Sequence, residues 1–315
     1  MLHTTDDGRA LHVRVDGPED APLTVVLVHC WANDLTLWGY QTLDLRGALG
    51  DDVRILRYDH RGHGRSARVP ESEARIDRLA ADLDGIIEAD APTGDLVLAG
   101  HSLGGMTLMA LAGRRPDLFG PAGRVRGLAL VSTSAGALDT VTLGLPAAGG
   151  AVLRSRLPAV LALRARMLSR RQRRRHPVTE TLVARRFLLA RGARRIDVAM
   201  AVNGIINTPA ESMCGFYRDF MHHDRTAELA TFAHTPTHVL VGRHDLLTPP
   251  SHAARIADGI PGARLTVVPD TGHYLPLERD FLVSEALLEL CRDALESPVA
   301  GVSTGVPAPR AAGVA

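Results

Sequence analysis

A serine stands in a glycine-rich turn whose neighbours could make it reactive, Gly100-His101-Ser102-Leu103-Gly104. An apolar run precedes this turn, and the helical pattern MTLMALAGRR follows it. A G-x-S-x-G sequence between a strand and a helix is typical of a nucleophile elbow, a turn so tight that its neighbours must be small. The following helix favours developing negative charge through its dipole and its free N–H groups. We therefore predict that Ser102 is a nucleophile.

A serine hydroxyl also needs a base within hydrogen-bond reach, and that base needs an orienting acid. His273 lies in DTGHYLPLE, between the last predicted strand and the last predicted helix, and Asp245 follows an apolar run in LVGRHDLLTPP. Both positions belong to the carboxyl edge of a parallel sheet, where such folds place their sites. The alternative acid position, after the predicted strand Val125–Ser132, holds no carboxylate. The chain order Ser102, Asp245, His273 is the one expected for this elbow, which makes Asp245 the predicted acid.

Acyl chemistry further requires two N–H donors for the oxygen that becomes negative. The N–H of Leu103, the residue after the serine, supplies one of them. The other is expected from the loop that follows the strand-like run LTVVLVH, within His29-Cys30-Trp31. The histidines His222 and His223 could also meet a substrate, but exposed polar helix residues are the simpler interpretation.

Composition places these residues in an ordinary globular protein. The 315 residues are 45% hydrophobic and 23% charged, which excludes a disordered, collagen-like or coiled-coil chain and favours one main domain with an insertion. The net charge of +1 indicates no particular partner. Three widely spaced cysteines favour a reducing, cytoplasmic environment over a disulfide framework. No signal peptide, membrane span, metal-binding set or cofactor motif is recognised, so we expect no metal, no cofactor and no integral membrane segment.

Short apolar runs alternate with helical patterns over most of the chain. This alternation predicts a mainly parallel sheet covered by helices on both faces, an α/β fold. It stops in the middle of the chain, where only helical patterns remain. We predict a core formed by residues 1–136 and 231–296, a helical cap at 137–230 and a disordered tail at 297–315. The predicted strands are Ala10–Val15, Leu23–His29, Val53–Tyr58, Asp95–Ala99, Val125–Ser132, Thr237–Val241 and Arg264–Val268, and the last helix is Pro276–Leu295.

The predicted cap is unusually basic. From Arg164 to Arg195 there are twelve arginines and a single acid, Glu180. Such a run is most simply a solvated helix face. The alternative is a surface for an anionic partner, such as an acidic carrier protein, an anionic lipid or a phosphorylated thioester. No recognised nucleic-acid-binding fold is found, so nucleic acid is not an expected partner.

Five segments together resemble the α/β-hydrolase superfamily, in its cap-bearing branch of serine esterases, haloperoxidase-like enzymes and C–C bond hydrolases. They occur in the family's order and spacing, within residues 8–296: VHCWAND, YDHRGHGRS, GHSLGG, GRHDLLTP and DTGHYLPLE. The resemblance implies an α/β-hydrolase fold with Ser102 as nucleophile, His273 as base and Asp245 as acid. It implies an oxyanion hole made by the backbone N–H groups of Leu103 and Trp31. The histidines and arginine of the second segment are implied to be scaffold: His60, Arg61 and His63.

One position departs from the family pattern, because Cys30 stands where the oxyanion loop usually has glycine. Glycine tolerates backbone angles that cysteine resists, so the second donor could be displaced. A serine at the elbow, rather than aspartate, favours acyl chemistry. We therefore predict a serine hydrolase that cleaves a carboxylic ester or related apolar acyl compound through an acyl-enzyme. Two alternatives remain open: a thioesterase or acyltransferase acting on carrier-bound acyl groups, and a non-catalytic ligand-binding protein.

Overall fold

The computed structural model describes residues 1–146, 148–152, 154–156, 159–160 and 177–297. Within these ranges eight strands form one sheet in the order β1-β2-β4-β3-β5-β6-β7-β8. The strands are β1 (Leu2–Thr4), β2 (Ala10–Asp16), β3 (Leu23–Val28), β4 (Val53–Tyr58), β5 (Asp95–His101), β6 (Val125–Val131), β7 (Thr237–Gly242) and β8 (Arg264–Val268).

Along the sheet, the strands from β4 to β8 are parallel, whereas the described pairs β1–β2 and β2–β4 are antiparallel. Its central strand β3 is buried along its whole length. Because successive side chains point to opposite faces, Val26 and Val28 join one core cluster, whereas Val25 and Leu27 join the other. A strand that is buried on both faces reads as a continuous apolar run. The predicted mainly parallel sheet is confirmed.

Helices cover both faces of the sheet. The helices α2 and α3 contribute Leu83 and Leu108 to one core cluster, and α1 and α9 contribute Leu45 and Leu287 to the other. The helix bounds are α1 (Gly39–Leu49), α2 (Ile76–Asp90), α3 (Leu103–Arg114), α4 (Val178–Val183), α5 (Arg195–Asn207), α6 (Ala210–Phe220), α7 (Pro250–Gly259), α8 (Leu275–Glu278) and α9 (Asp280–Glu296).

The predicted last helix, Pro276–Leu295, is wrong as a single element. It is divided at Arg279, whose backbone leaves the helical region at φ −139° and ψ 53°. The Arg279 guanidinium then donates to the main-chain carbonyls of Glu278 and Asp270. The break places Glu278 at the end of a separate short helix, facing the loop after β8.

The central part of the chain contributes helices rather than sheet strands. Its described residues include α4, α5 and α6, a π-helical turn at Ala184–Leu188, and further helical residues at 148–152, 154–156 and 159–160. Residues 164–176 of the arginine-rich segment, with seven of its twelve arginines, lie outside the described residues, as does the predicted tail beyond Ser297. The division into core, cap and tail therefore stays a prediction.

The strand order reverses between β3 and β5, which are adjacent strands in the centre of the sheet. The chain adds β4 on one side of β3 and then crosses to add β5 on the other side. At such a reversal the loops at the carboxyl ends of the strands diverge and leave a crevice, which is where ligands bind in open α/β sheets. The loop with Trp31 follows β3 and the turn with Ser102 follows β5, so both predicted oxyanion donors border this crevice.

Candidate active site

The turn between β5 and α3 is strained at the serine itself. Ser102 has φ 53° and ψ −114°, and residues other than glycine rarely adopt such a positive φ. The turn has no room for larger neighbours, because a Cβ on Gly100 would come within 2.6 Å of the Gly104 main chain. A Cβ on Gly104 would lie 2.2 Å from the Val28 carbonyl oxygen. This is the tight geometry expected of an elbow, and it leaves Ser102 partly exposed at the start of a helix.

The predicted acid and base are in direct contact. The ring Nδ1 of His273 lies 2.8 Å from Oδ2 of Asp245. Asp245 also accepts bonds from the N–H groups of Leu247 and Thr248 and from the Thr248 hydroxyl, at 2.8–2.9 Å. Burial alone would raise the pKa of Asp245, but His273 and these hydrogen bonds outweigh it and hold that pKa below its usual value. A carboxylate can only accept, so Nδ1 carries a proton, and in the neutral imidazole Nε2 is then the nitrogen with the free lone pair.

A second histidine ties the base to the elbow. The Nε2–H of His101 donates to the main-chain carbonyl of His273 at 2.8 Å, and the two rings are in tilted contact, with centroids 5.0 Å apart and an interplanar angle of 45°. Burial lowers the pKa of His101 to about 3, so its imidazole is neutral. Because His101 directly precedes Ser102, this bond fixes the His273 loop against the turn that carries the serine. The Thr133 hydroxyl also donates to the Ser102 carbonyl, at 2.7 Å.

The predicted oxyanion donors lie on the two loops that border the crevice. Leu103 is the first residue of α3, so its N–H has no intrahelical partner. In the loop after β3, the left-handed residue is Ala32, with φ 56°, and not Cys30. Cysteine at position 30 therefore meets no backbone conflict, and the reason to expect a displaced Trp31 N–H is removed.

Residues from the central helices close one side of the site. The Trp31 ring meets Tyr217 and Phe220 of α6, with centroids 6.2 Å and 5.4 Å away. Helix α5 approaches the same loop so closely that a Cβ on Gly204 would lie 2.4 Å from the Ala32 carbonyl oxygen. The loop with the second predicted oxyanion donor is thus packed beneath two helices of the predicted cap.

The residues predicted to be scaffold are hydrogen-bonded to groups other than the predicted acid and base. Arg61 is fully buried between the carboxylates of Asp82 and Asp7, at 2.6–3.1 Å. His60 donates from Nε2 to the His29 carbonyl, and His63 donates from Nδ1 to the Arg61 carbonyl. These groups hold the loop after β4, which agrees with the predicted structural role.

Several contributing residues were not singled out from the sequence. Thr248 stands three residues after Asp245, a spacing at which its hydroxyl and N–H can both reach that carboxylate. Glu278 binds the His273 loop from α8 by main-chain hydrogen bonds. The exposed position predicted for His223 is wrong, because it is only 8% exposed and burial lowers its pKa to about 4.

Metal-binding clusters and membrane-spanning helices are both absent from the described residues. In the ranges that the structure describes, no three His, Cys, Asp or Glu side chains are grouped so as to hold a metal ion. Within that same part of the chain, no helix combines the length and apolar character needed to cross a membrane.

The comparisons with known proteins agree with the architecture. A family model described as the alpha/beta hydrolase fold matches residues 24–280. The chain is 28% identical to a proline iminopeptidase, PfmaB, of Pestalotiopsis fici over 294 residues, covering 88% of this chain and 94% of that protein. It is 29% identical to the rhodomycin D methylesterase DauP of Streptomyces sp. strain C5 over 282 residues, covering 84% and 88%. A thermophilic esterase structure from Thermogutta terrifontis aligns with a TM-score of 0.71 at 27% identity, covering 93% and 97%.

Proposed function

The chain belongs to the alpha/beta hydrolase family, and from that membership we propose that it is a serine hydrolase of carboxylic esters. One observation carries the proposal: Asp245 orients His273, and His101 fastens the His273 main chain beside the Ser102 elbow. An acid, a base and a strained serine are the three parts of an acyl-transfer site. The esterases and the peptidase among the similar proteins support hydrolysis as the reaction class.

In the proposed reaction, Ser102 Oγ attacks the ester carbonyl carbon while His273 Nε2 takes the hydroxyl proton. Asp245 stabilises the imidazolium that forms. The N–H groups of Leu103 and Trp31 hold the negative oxygen of the tetrahedral intermediate. The bond from carbon to the alcohol oxygen then breaks, and His273 returns its proton to the leaving alcohol. Water repeats the attack on the acyl-serine, with His273 as base, and releases the acid and free Ser102.

The substrate class is an ester with an apolar acyl or alkyl group. The support is the aromatic group beside the proposed oxyanion donor, formed by Trp31, Tyr217 and Phe220. Aromatic side chains offer large apolar surfaces to a bound chain or ring. An acidic carrier protein as partner rests on the arginine-rich segment, seven of whose twelve arginines lie outside the described residues, so that alternative rests on the sequence.

The proposal is tested by the hydrolysis of p-nitrophenyl esters of increasing acyl length. We expect turnover by the wild type with an optimum at one chain length, and a fall of about 10³-fold or more in kcat for Ser102→Ala. The exposed Ser251 on α7 provides the control variant Ser251→Ala, which should keep the wild-type rate. Turnover that survives in folded Ser102→Ala would contradict the proposed mechanism.

A further inference from the structure

Glu278 is a buried carboxylate that the proposed mechanism does not use. It is 8% exposed and is held by main-chain N–H groups. Its Oε2 accepts from Ala190 at 2.7 Å, and both of its oxygens accept from Gly272, at 3.1 and 3.2 Å. Burial raises the pKa of Glu278, while those N–H groups and the nearby His273 oppose part of the rise. A carboxylate held in this way joins two segments that are far apart in the chain.

The two segments are fastened by further contacts. The N–H groups of His273 and Tyr274 both donate to the Leu188 carbonyl, at 2.8 and 3.2 Å. A Cβ on Gly272 would come within 2.9 Å of the main chain of residues 188–190, so only glycine allows this approach. The end of the π-helical turn and the His273 loop thus form one hydrogen-bonded unit, with Glu278 bonded to both parts.

We propose that Glu278 is a positioning residue that fastens residues 188–190 to the His273 loop and places a second negative charge near the His273 imidazole. This inference rests on the proposed function, in which His273 becomes charged during the reaction. Asp245 binds the ring directly, whereas Glu278 acts through space and through the main chain of the loop. Its charge favours the imidazolium, and its hydrogen bonds hold the ring in line with the elbow.

Other charged groups lie near Glu278, and two of the arginines among them are engaged with partners of their own. They line, or lie next to, a cavity of about 220 Å³ between the two segments. Arg194 is engaged by Asp197 at 2.6 Å, and Arg279 donates to main-chain carbonyls. The facing groups from the neighbouring elements are Arg191, Arg194 and Asp197 on the central segment, Asp270, His273 and Tyr274 on the loop after β8, and Arg279 and Asp280 at the break before α9.

The test compares wild type with Glu278→Gln, which keeps the size of the side chain and removes its charge. We expect kcat on the best p-nitrophenyl ester to fall about 3- to 10-fold with KM within about twofold. The acid limb of the kcat/KM profile should move to lower pH by a few tenths of a unit, because the base is protonated less readily without the charge. The control is Glu285→Gln, at an exposed position on α9.

Hydrogen exchange supplies a readout that does not depend on turnover. In Glu278→Gln, the amides of residues 188–190 and 272–274 should exchange faster together, with no change elsewhere in the sheet. Unchanged exchange would overturn the fastening role whether or not the protein hydrolyses esters. Faster exchange with an unmoved acid limb and an unmoved kcat would make Glu278 a structural contact only and would overturn its action on His273. If the wild-type protein instead hydrolyses no ester, or does so equally well as Ser102→Ala, the proposed function is contradicted.

Discussion

At the scale of single residues, Cys30 is the clearest departure from the family pattern. Its side chain is 1% exposed, and burial raises the pKa of the thiol to about 12. The thiol is therefore protonated and is no nucleophile. It interacts with the Tyr274 hydroxyl, which also accepts a bond from Asn33 Nδ2 at 3.4 Å. Position 30 thus contributes packing between the loop after β3 and the loop that carries His273.

Replacing this cysteine should change stability more than chemistry. We expect Cys30→Gly to lower the free energy of unfolding by about 1–2 kcal/mol, because it removes a buried side chain and frees the backbone. Its kcat should stay within about fivefold of wild type, since the left-handed residue is Ala32. Urea unfolding and ester hydrolysis measure the two effects, with Cys30→Ala as the matched variant. Complete loss of turnover in folded Cys30→Ala would contradict a packing role.

At the scale of elements, the geometry of the site depends on helices of the central segment as well as on the sheet. Helix α5 touches the proposed oxyanion loop through Gly204, where an added Cβ would meet the Ala32 carbonyl oxygen and lie 2.8 Å from Asn33 Cα. Both contacts are backbone atoms, so the helix or the loop must move. The position of the Trp31 N–H therefore depends on how closely α5 packs against this loop.

We expect Gly204→Ala to lower kcat on the best p-nitrophenyl ester by about tenfold or more, because a small displacement of a donor is costly in catalysis. The free energy of unfolding should fall by about 1–3 kcal/mol through overpacking. The control is Ala199→Ser, which enlarges an exposed side chain on the same helix. Wild-type kinetics for Gly204→Ala would show that α5 does not hold this loop.

At the scale of the whole molecule, a set of buried histidines makes stability depend on pH. Burial lowers the pKa of His60 and His101 to about 3, lowers that of His63 and His223 to about 4, and lowers that of His29 well below its usual value. The unfolded chain protonates these rings near pH 6.5, whereas the folded protein does not. Between about pH 6.5 and 4 the unfolded state therefore binds more protons, and stability falls as the pH falls.

Each such histidine should contribute a slope of about 1.4 kcal/mol per pH unit in this window. We expect the unfolding midpoint in urea to drop steadily between pH 6.5 and 4.5. In His63→Gln the free energy of unfolding should depend less steeply on pH, by roughly the 1.4 kcal/mol per pH unit that one histidine contributes. The control His244→Gln, at an exposed position, should keep the wild-type slope. Stability that is constant over this range would contradict neutral, buried imidazoles.

Much of the core could be predicted because its signals are local. The strands Val53–Tyr58 and Arg264–Val268 have the predicted bounds, since short runs rich in apolar and β-branched residues between turns predict strands. The contact of Asp245 with His273 follows from their places after neighbouring parallel strands. The break at Arg279 was not predictable, because the apolar spacing of a helix continues across it and the bonds that favour the break come from distant residues.

The central region was the least predictable part. A helical pattern predicts that a helix has an apolar face, but it does not predict which surface that face packs against. The approach of Gly204 to Ala32 and the bonds of Glu278 to Ala190 join residues far apart in the chain. His223 was misplaced for the same reason: it lies beyond the end of α6, and its burial depends on its packing beside Ser134 and Gly136.

The central claim is that Ser102 is an activated nucleophile, and labelling with a fluorophosphonate probe tests it most directly. Mass spectrometry of the labelled protein and its peptides gives the number and position of adducts. We predict one adduct per chain, on Ser102, absent in Ser102→Ala and formed much more slowly in His273→Ala. No adduct on folded wild-type protein, or an adduct on another residue, would contradict the account.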